Sequence, residues 1–155
     1  LRRCFMLEHI ADYVSIKGAR WTRNQAILSK KLQEIIDDKP VWGEALHQHL
    51  MGSKIVLNIT RGPFYAAETG VNLRIFEAMA AGCFVLTDYC DEVAELFDIG
   101  LEIETFKGSK ELVEKVAYYL SNDEARLAIA KRGQQKIRQQ FTWDKRTQHM
   151  LSYMG

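Results

Sequence analysis

Apolar residues along the chain gather in short runs that alternate with stretches of helical periodicity. The runs at 13–16, 55–59, 83–87 and 101–103 predict strands, and the middle two are almost continuously apolar, like parallel strands buried on both faces. Between them the 3.6-residue pattern predicts helices over 1–11, 23–36, 43–51, 71–81, 91–97 and 110–120. Such alternation predicts an α/β fold, a mostly parallel sheet flanked by helices with right-handed crossovers. Ligands of such sheets sit outside the carboxyl ends of the strands. The last third, about 109–154, reads as helices, with Ser121 and Glu124 spaced like a capping box. A final short amphipathic segment carrying Phe141 and Trp143 is expected to pack back on the body.

Nothing divides the 155 residues: prolines occur only at 40 and 63, and there is no Ser/Gly-rich linker and no repeat. A single domain, 1–155, is expected. With 21 Lys and Arg against 20 Asp and Glu the chain has no broad field to attract nucleic acid, so any bound anion must be held by local geometry. Cys4, Cys83 and Cys90 are odd in number and lack CxxC spacing, which points to a reducing, cytoplasmic setting. No apolar stretch reaches the ~20 residues of a membrane span, and the first ten residues lack a signal core. Peripheral membrane association stays open. The chain starts at Leu1 rather than Met, as an excision point within something longer would.

Residues 54–88 run strand, Gly-containing loop, helix, small-residue turn, strand, the form of a ligand-binding loop at a strand end. In the helix, Ile75, Phe76, Met79 and Ala80 make an inward stripe, while Arg74 and Glu77 share the remaining surface. The plain reading of that pair is a solvated ion pair worth a few tenths of a kcal/mol. Two features oppose it. Arg74 lies in the first turn, where the helix dipole disfavours a cation, and Arg before Glu is the poorer pairing order. A bound diphosphate would reverse the penalty, and Gly70, Val71 and Asn72 offer free N–H groups there. The paired acceptor oxygens of Glu77 suit ribose hydroxyls.

Gly18, Arg20 and Trp21 close the first strand, where Arg20 can reach a phosphate and Trp21 can line a base pocket or simply anchor a helix. Asn58 and Thr60 end the second strand, as ligand contacts or as turn formers. Thr87 can meet a ligand hydroxyl, and Asp91 is expected to cap the helix after it. His47 and His49, at i,i+2, point to different faces of a helix, so no metal site is expected and no cofactor is assigned. Tyr118, Tyr119 and Leu120 read as core and helix-end packing, and 131–138 as a solvated basic face. No GxGxxG follows a strand, which disfavours a nicotinamide oxidoreductase, and residues 17–24 hold no acid, which disfavours a receiver domain.

The segments SKIVLNI, GVNLRIFEAMAAGCFVLTD, DEVAELF, KELVEKVAYYLSNDEARLAIAKRGQQ and FTWDKRTQHML, in this order and spacing, resemble the glycosyl transferases group 1 superfamily. The resemblance is specifically to the branch with the spore-maturation CgeB-like proteins. It covers about residues 40–151, with an upstream VSIKGARW similar to the family's strand ending in glycine and tryptophan. It implies a GT-B architecture of two Rossmann-like domains, of which the C-terminal one holds a nucleotide diphosphate sugar without a metal. By this resemblance Glu77 is the ribose-binding glutamate, Gly70, Val71, Asn72 and Leu73 face the diphosphate, and Arg74 is the branch's arginine. Better-known retaining members carry a second glutamate where this chain has Thr69, with Glu68 one residue off, so retention or inversion stays open. The helix at 1–11 resembles the one after the family's first donor-domain strand. That implies a chain lacking that strand and the N-terminal acceptor domain, where the family keeps its catalytic base, and hence inactive alone. The expectation is the donor-binding domain of a glycosyltransferase. The alternative is a non-catalytic nucleotide- or sugar-binding regulatory module of the same fold.

Overall fold

The computed structural model describes residues 2–19, 21–60, 62 and 71–154. Their elements run α1 (Arg2–Glu8), β1 (Ile16–Lys17), α2 (Lys30–Ile35), β2 (Ile36–Asp37), α3 (Gly43–Met51) and β3 (Val56–Asn58). There follow α4 (Leu73–Ala80), β4 (Val85–Asp88), α5 (Asp91–Leu96), β5 (Glu104–Phe106), α6 (Ser109–Ser121), α7 (Asp123–Gln140) and α8 (Trp143–Met154). Every strand pairing is parallel, as the apolar runs predict. The strands form two pieces, β1–β2 with Ile16 opposite Ile36, and β3–β4–β5 with Val56 opposite Val85 and Leu86 opposite Glu104.

All four residues of the central strand β4 are buried. The two-residue period sends Phe84 and Leu86 to one core, with Leu32, Phe106, Leu112 and Ile129, and Cys83 and Val85 to the other, with Ile75, Met79, Val93 and Ile103. A sheet with a core on each face is therefore legible in the run FVLT alone. α7 packs along α4 across Gly133, where a Cβ would lie 2.3 Å from the Glu102 carbonyl oxygen and 3.0 Å from Met79 Cε. The three cysteines are buried and unbridged. No described helix is long and apolar enough to cross a membrane.

Several elements depart from the sequence reading for identifiable reasons. The first strand shifts from 13–16 to Ile16–Lys17 because Ala11–Tyr13 closes a 3-10 turn, Tyr13 N–H donating to Ile10 at 2.9 Å. The helix expected over 23–36 divides at Ser29, whose Oγ accepts from Leu32 N at 3.1 Å and starts α2, and its end becomes β2. The last strand moves from 101–103 to Glu104–Phe106. It begins with a buried carboxylate, which the apolar pattern passes over, and which Lys115 Nζ (2.9 Å) and Tyr119 Oη (2.6 Å) satisfy.

The Ser121–Glu124 capping box does not form. Ser121 is still helical, its Oγ donating to the Ala117 carbonyl, so Asn122 caps α7 by accepting from Ala125 N at 3.2 Å. In α4 the buried stripe is Ile75, Ala78 and Met79, with Ala80 exposed. Tyr118 is 52% exposed rather than in the core. The end of the chain packs through Phe141, whose ring lies 5.4 Å from Phe76 and 5.5 Å from Phe97, whereas Trp143 stands 78% exposed.

Candidate functional site

The carboxyl ends of β3 and β4 and the amino end of α4 are tied by one chain of side-chain hydrogen bonds. Asn58 Nδ2, at the end of β3, donates to Thr87 Oγ1 on β4 at 2.9 Å. Asn58 Oδ1 accepts from Asn72 Nδ2 at 2.9 Å, and Asn72 Oδ1 accepts from Arg74 N at 3.1 Å. Asn72 is thus the N-cap of α4, with extended backbone (φ −128°, ψ 163°), and it is held from below by two buried groups. Just before it, the half-buried Val71 donates its N–H to Glu92 Oε2 at 3.3 Å. A carboxylate already stands where the helix dipole favours negative charge.

Beside this chain, buried Asp88 at the end of β4 accepts from Thr60 N and from both terminal nitrogens of Arg2, at 3.1 Å for Arg2 Nη1. Arg2 also donates to the Thr60 carbonyl at 3.3 Å, and Arg3 Nε donates to the Ile59 carbonyl at 2.7 Å. These bonds fix α1 to the ends of β3 and β4. Thr60 Oγ1 is buried with no hydrogen-bond partner among the described residues.

On α4 the exposed face carries Leu73, Arg74 and Glu77. Arg74 and Glu77 do not pair with each other, and among the described residues neither side chain has a hydrogen-bond or ion-pair partner. At the end of β1, Gly18 has φ +136°, a backbone suited to glycine, and its N–H donates to the Asp37 carbonyl at 3.1 Å. Trp21 N donates to Asp38 Oδ1 at 3.0 Å, and the half-buried indole packs against the core beneath. Arg20 and Gly70 lie outside the described residues, as do Glu68 and Thr69.

A family model described as "Glycosyl transferase-like" matches residues 2–152. The chain belongs to this glycosyl transferase-like family. No curated relative matches it. Among solved structures, sucrose-phosphate synthase from Thermosynechococcus elongatus superposes with a TM-score of 0.75 at 12% identity, over 99% of this chain and 42% of that one. Anabaena HepE, in complex with UDP and glucose, superposes with a TM-score of 0.74 at 16% identity, over 96% of this chain and 43% of that one. The chain therefore spans about two fifths of either neighbour, and its fold is that of the C-terminal domain of a GT-B glycosyltransferase.

Within this glycosyl transferase-like domain the residues singled out from sequence divide by what their polar atoms already do. Asn58, Thr87 and Asn72 converge, but on one another. Thr60 lies beside them, its backbone N–H held by Asp88. Arg74, Glu77 and Leu73 are presented to solvent. Asp91 does not cap α5: Cys90 is the N-cap residue, without a side-chain cap bond, and Asp91 Oδ1 accepts from Tyr89 Oη at 3.2 Å. Sequence reading missed Arg2, Arg3, Asp88 and Glu92 as organisers of the strand ends. Asp88 had one signal, an acid closing an apolar strand, but its partner is 86 positions away.

Proposed function

We propose that this chain binds the nucleotide diphosphate of an activated sugar, and that the protein carrying it transfers the glycosyl group to an acceptor with release of nucleoside diphosphate. One observation carries the reading. Arg74 projects from the first turn of α4 without an acidic partner among the described residues, beside an amino end held rigid by Asn72, Asn58 and Thr87. A cation there opposes the helix dipole, and an anion reaching Arg74 would add to the negative charge that Glu92 already brings to this end. Membership of the glycosyl transferase-like family supports the reaction class. The fold is shared with a protein whose structure holds UDP and glucose, which supports a nucleotide-sugar donor.

In this reading Gly70, Val71, Asn72 and Leu73 line the diphosphate approach, Arg74 neutralises charge on the departing diphosphate, and Glu77 accepts from the ribose hydroxyls. Gly18, Arg20 and Trp21 shape the nucleotide side of the cleft, and Thr60 offers its unpartnered hydroxyl. Asn58 and Thr87 act on the donor through the position they give to Asn72. Helix dipole and arginine supply the electrostatic stabilisation, so no metal or cofactor is invoked. We place the chain in the CgeB-like branch, with its catalytic base in an N-terminal acceptor domain and its setting cytoplasmic, with or without peripheral contact to a membrane.

Calorimetric titration with UDP, GDP and their sugar conjugates tests this. Saturable binding of one nucleotide diphosphate is expected, weakened about tenfold or more by Arg74→Ala and by Glu77→Ala, since each removes a charge-assisted contact. Binding that ignores both substitutions overturns the site. Binding without transfer by the intact two-domain protein overturns the enzymatic role.

A further inference from the structure

The backbone amides at the amino end of α4 are already largely engaged. Arg74 N–H donates to Asn72 Oδ1 at 3.1 Å and Ile75 N–H to the Asn72 carbonyl at 3.1 Å, bonds that the turn makes within itself. Val71 N–H donates instead to Glu92 Oε2 at 3.3 Å, 21 positions along the chain. Leu73 N–H makes no bond among the described residues.

Of these bonds the one to Glu92 is the longest, and it ties α4 to another helix rather than to its own turn. Glu92 stands in the first turn of α5 and is half-buried. Its oxygen carries the charge, and takes the place, of a phosphate oxygen brought to that amide. A diphosphate approaching Val71 and Leu73 therefore meets one unengaged amide and one carboxylate in its path. Glu92 and Val71 also line a cleft of about 510 Å³, which leaves the carboxylate room to turn away. Lys145, Arg146 and His149 line it too, but all three are exposed, so solvent screens what they offset of the Glu92 charge.

We propose that Glu92 is an internal competitor for the diphosphate of the donor, holding Val71 N–H until a phosphate oxygen displaces it. The proposal rests on the diphosphate reading of this end of α4 and states how that site is regulated. The competition lowers affinity, because one bond is exchanged for another and two like charges meet near one amide. In return it discriminates by charge. A neutral ligand group does not dislodge a carboxylate, whereas a diphosphate that also reaches Arg74 does.

Calorimetric titration of the chain and of Glu92→Gln and Glu92→Ala with UDP, GDP and uridine tests this, with amide spectra following Val71. Gln keeps the size and an acceptor oxygen and loses the charge, so Glu92→Gln should bind the nucleoside diphosphate about three- to tenfold tighter. Glu92→Ala, which also releases the amide, should bind at least as tightly. The gain should shrink at high salt, and uridine, without phosphate, should gain nothing. In the unsubstituted chain the nucleotide should shift the Val71 amide saturably. A bond that merely braces α5 against α4 predicts the opposite sign, weaker binding in both variants. Unchanged or weaker binding by Glu92→Gln, an equal gain for uridine, or an unmoved Val71 amide would each overturn the proposal. If binding is lost in Arg74→Ala while Glu92→Gln gains nothing, the competition alone falls. If neither the chain nor its Glu92 variants bind UDP or GDP saturably, the diphosphate reading falls with it.

Discussion

Asn58→Ala cuts the hydrogen-bond chain that positions the amino end of α4 at its middle. Asn58 is 5% exposed and makes two side-chain bonds of 2.9 Å, to Thr87 Oγ1 and from Asn72 Nδ2. Thr87 is 1% exposed, so water does not reach its orphaned hydroxyl, and leaving it without that donor costs about 1–3 kcal/mol. Asn72 is exposed and water can replace its lost partner, leaving a net bond of about 1 kcal/mol. Asn58→Ala should therefore destabilise by roughly 2–4 kcal/mol, and Asn72→Ala, which removes the cap, by about 1 kcal/mol. Because the two residues bond each other, the double variant should lose about 0.5–1.5 kcal/mol less than the sum. Urea unfolding, with midpoints shifting at constant slope, reads all four corners of this cycle. Additivity within about 0.3 kcal/mol, or an Asn58→Ala loss below about 0.5 kcal/mol, would refute the idea that Asn58 braces the cap.

Gly133→Ala sets the helix-forming advantage of alanine, about 1 kcal/mol, against a Cβ placed 2.3 Å from a backbone oxygen, and overpacking of about 1–3 kcal/mol or more should prevail. A lower melting temperature is expected, and a higher one would mean that α7 does not press on Glu102 as described. Burial and the hydrogen bond to Glu104 raise the Tyr119 hydroxyl above its usual value, while for Lys115 the pull of burial is outweighed by hydrogen bonds to Glu111 and Glu104, which leave it raised as well. Raised groups contribute stability that is complete below their unfolded values, about 10 for each, and is lost as pH climbs through the folded ones. Stability should thus fall on the alkaline side, Tyr119→Phe should flatten that limb, and an unchanged slope in urea midpoint against pH would contradict the sign.

What could be read from the chain beforehand follows from which forces are periodic. β3 and β4 were legible because a strand with a core on each face must be apolar at successive positions, and Val56, Val85 and Leu86 are. α4 was legible from its stripe, and so was its exposed Arg74. β5 was not, since its first residue is a carboxylate whose burial depends on Lys115 and Tyr119, one turn apart on α6. β2 was absorbed into a helical pattern because Ile35 and Ile36 suit either element, and only the Ser29 cap and pairing with β1 decide.

The polar residues at the strand ends show the sharper limit. Position along the chain puts Asn58, Thr60 and Thr87 at or just beyond the carboxyl ends of β3 and β4, where the structure has them. It does not tell whether their hydrogen-bonding atoms point outward or are consumed within the fold, because that depends on partners 14, 28 and 29 positions away. The difference matters for function. A residue whose polar side-chain atoms are buried and bonded within the fold can alter ligand affinity only by moving something else, so Asn58 and Thr87 should act through Asn72. Arg74 and Glu77, exposed and without a partner among the described residues, are free to act by contact. Substitutions in the first group should therefore change stability and donor affinity together, while those in the second should change affinity with stability nearly constant. That separation distinguishes a cap that happens to lie beside a cleft from one built to aim the amino end of α4 into it.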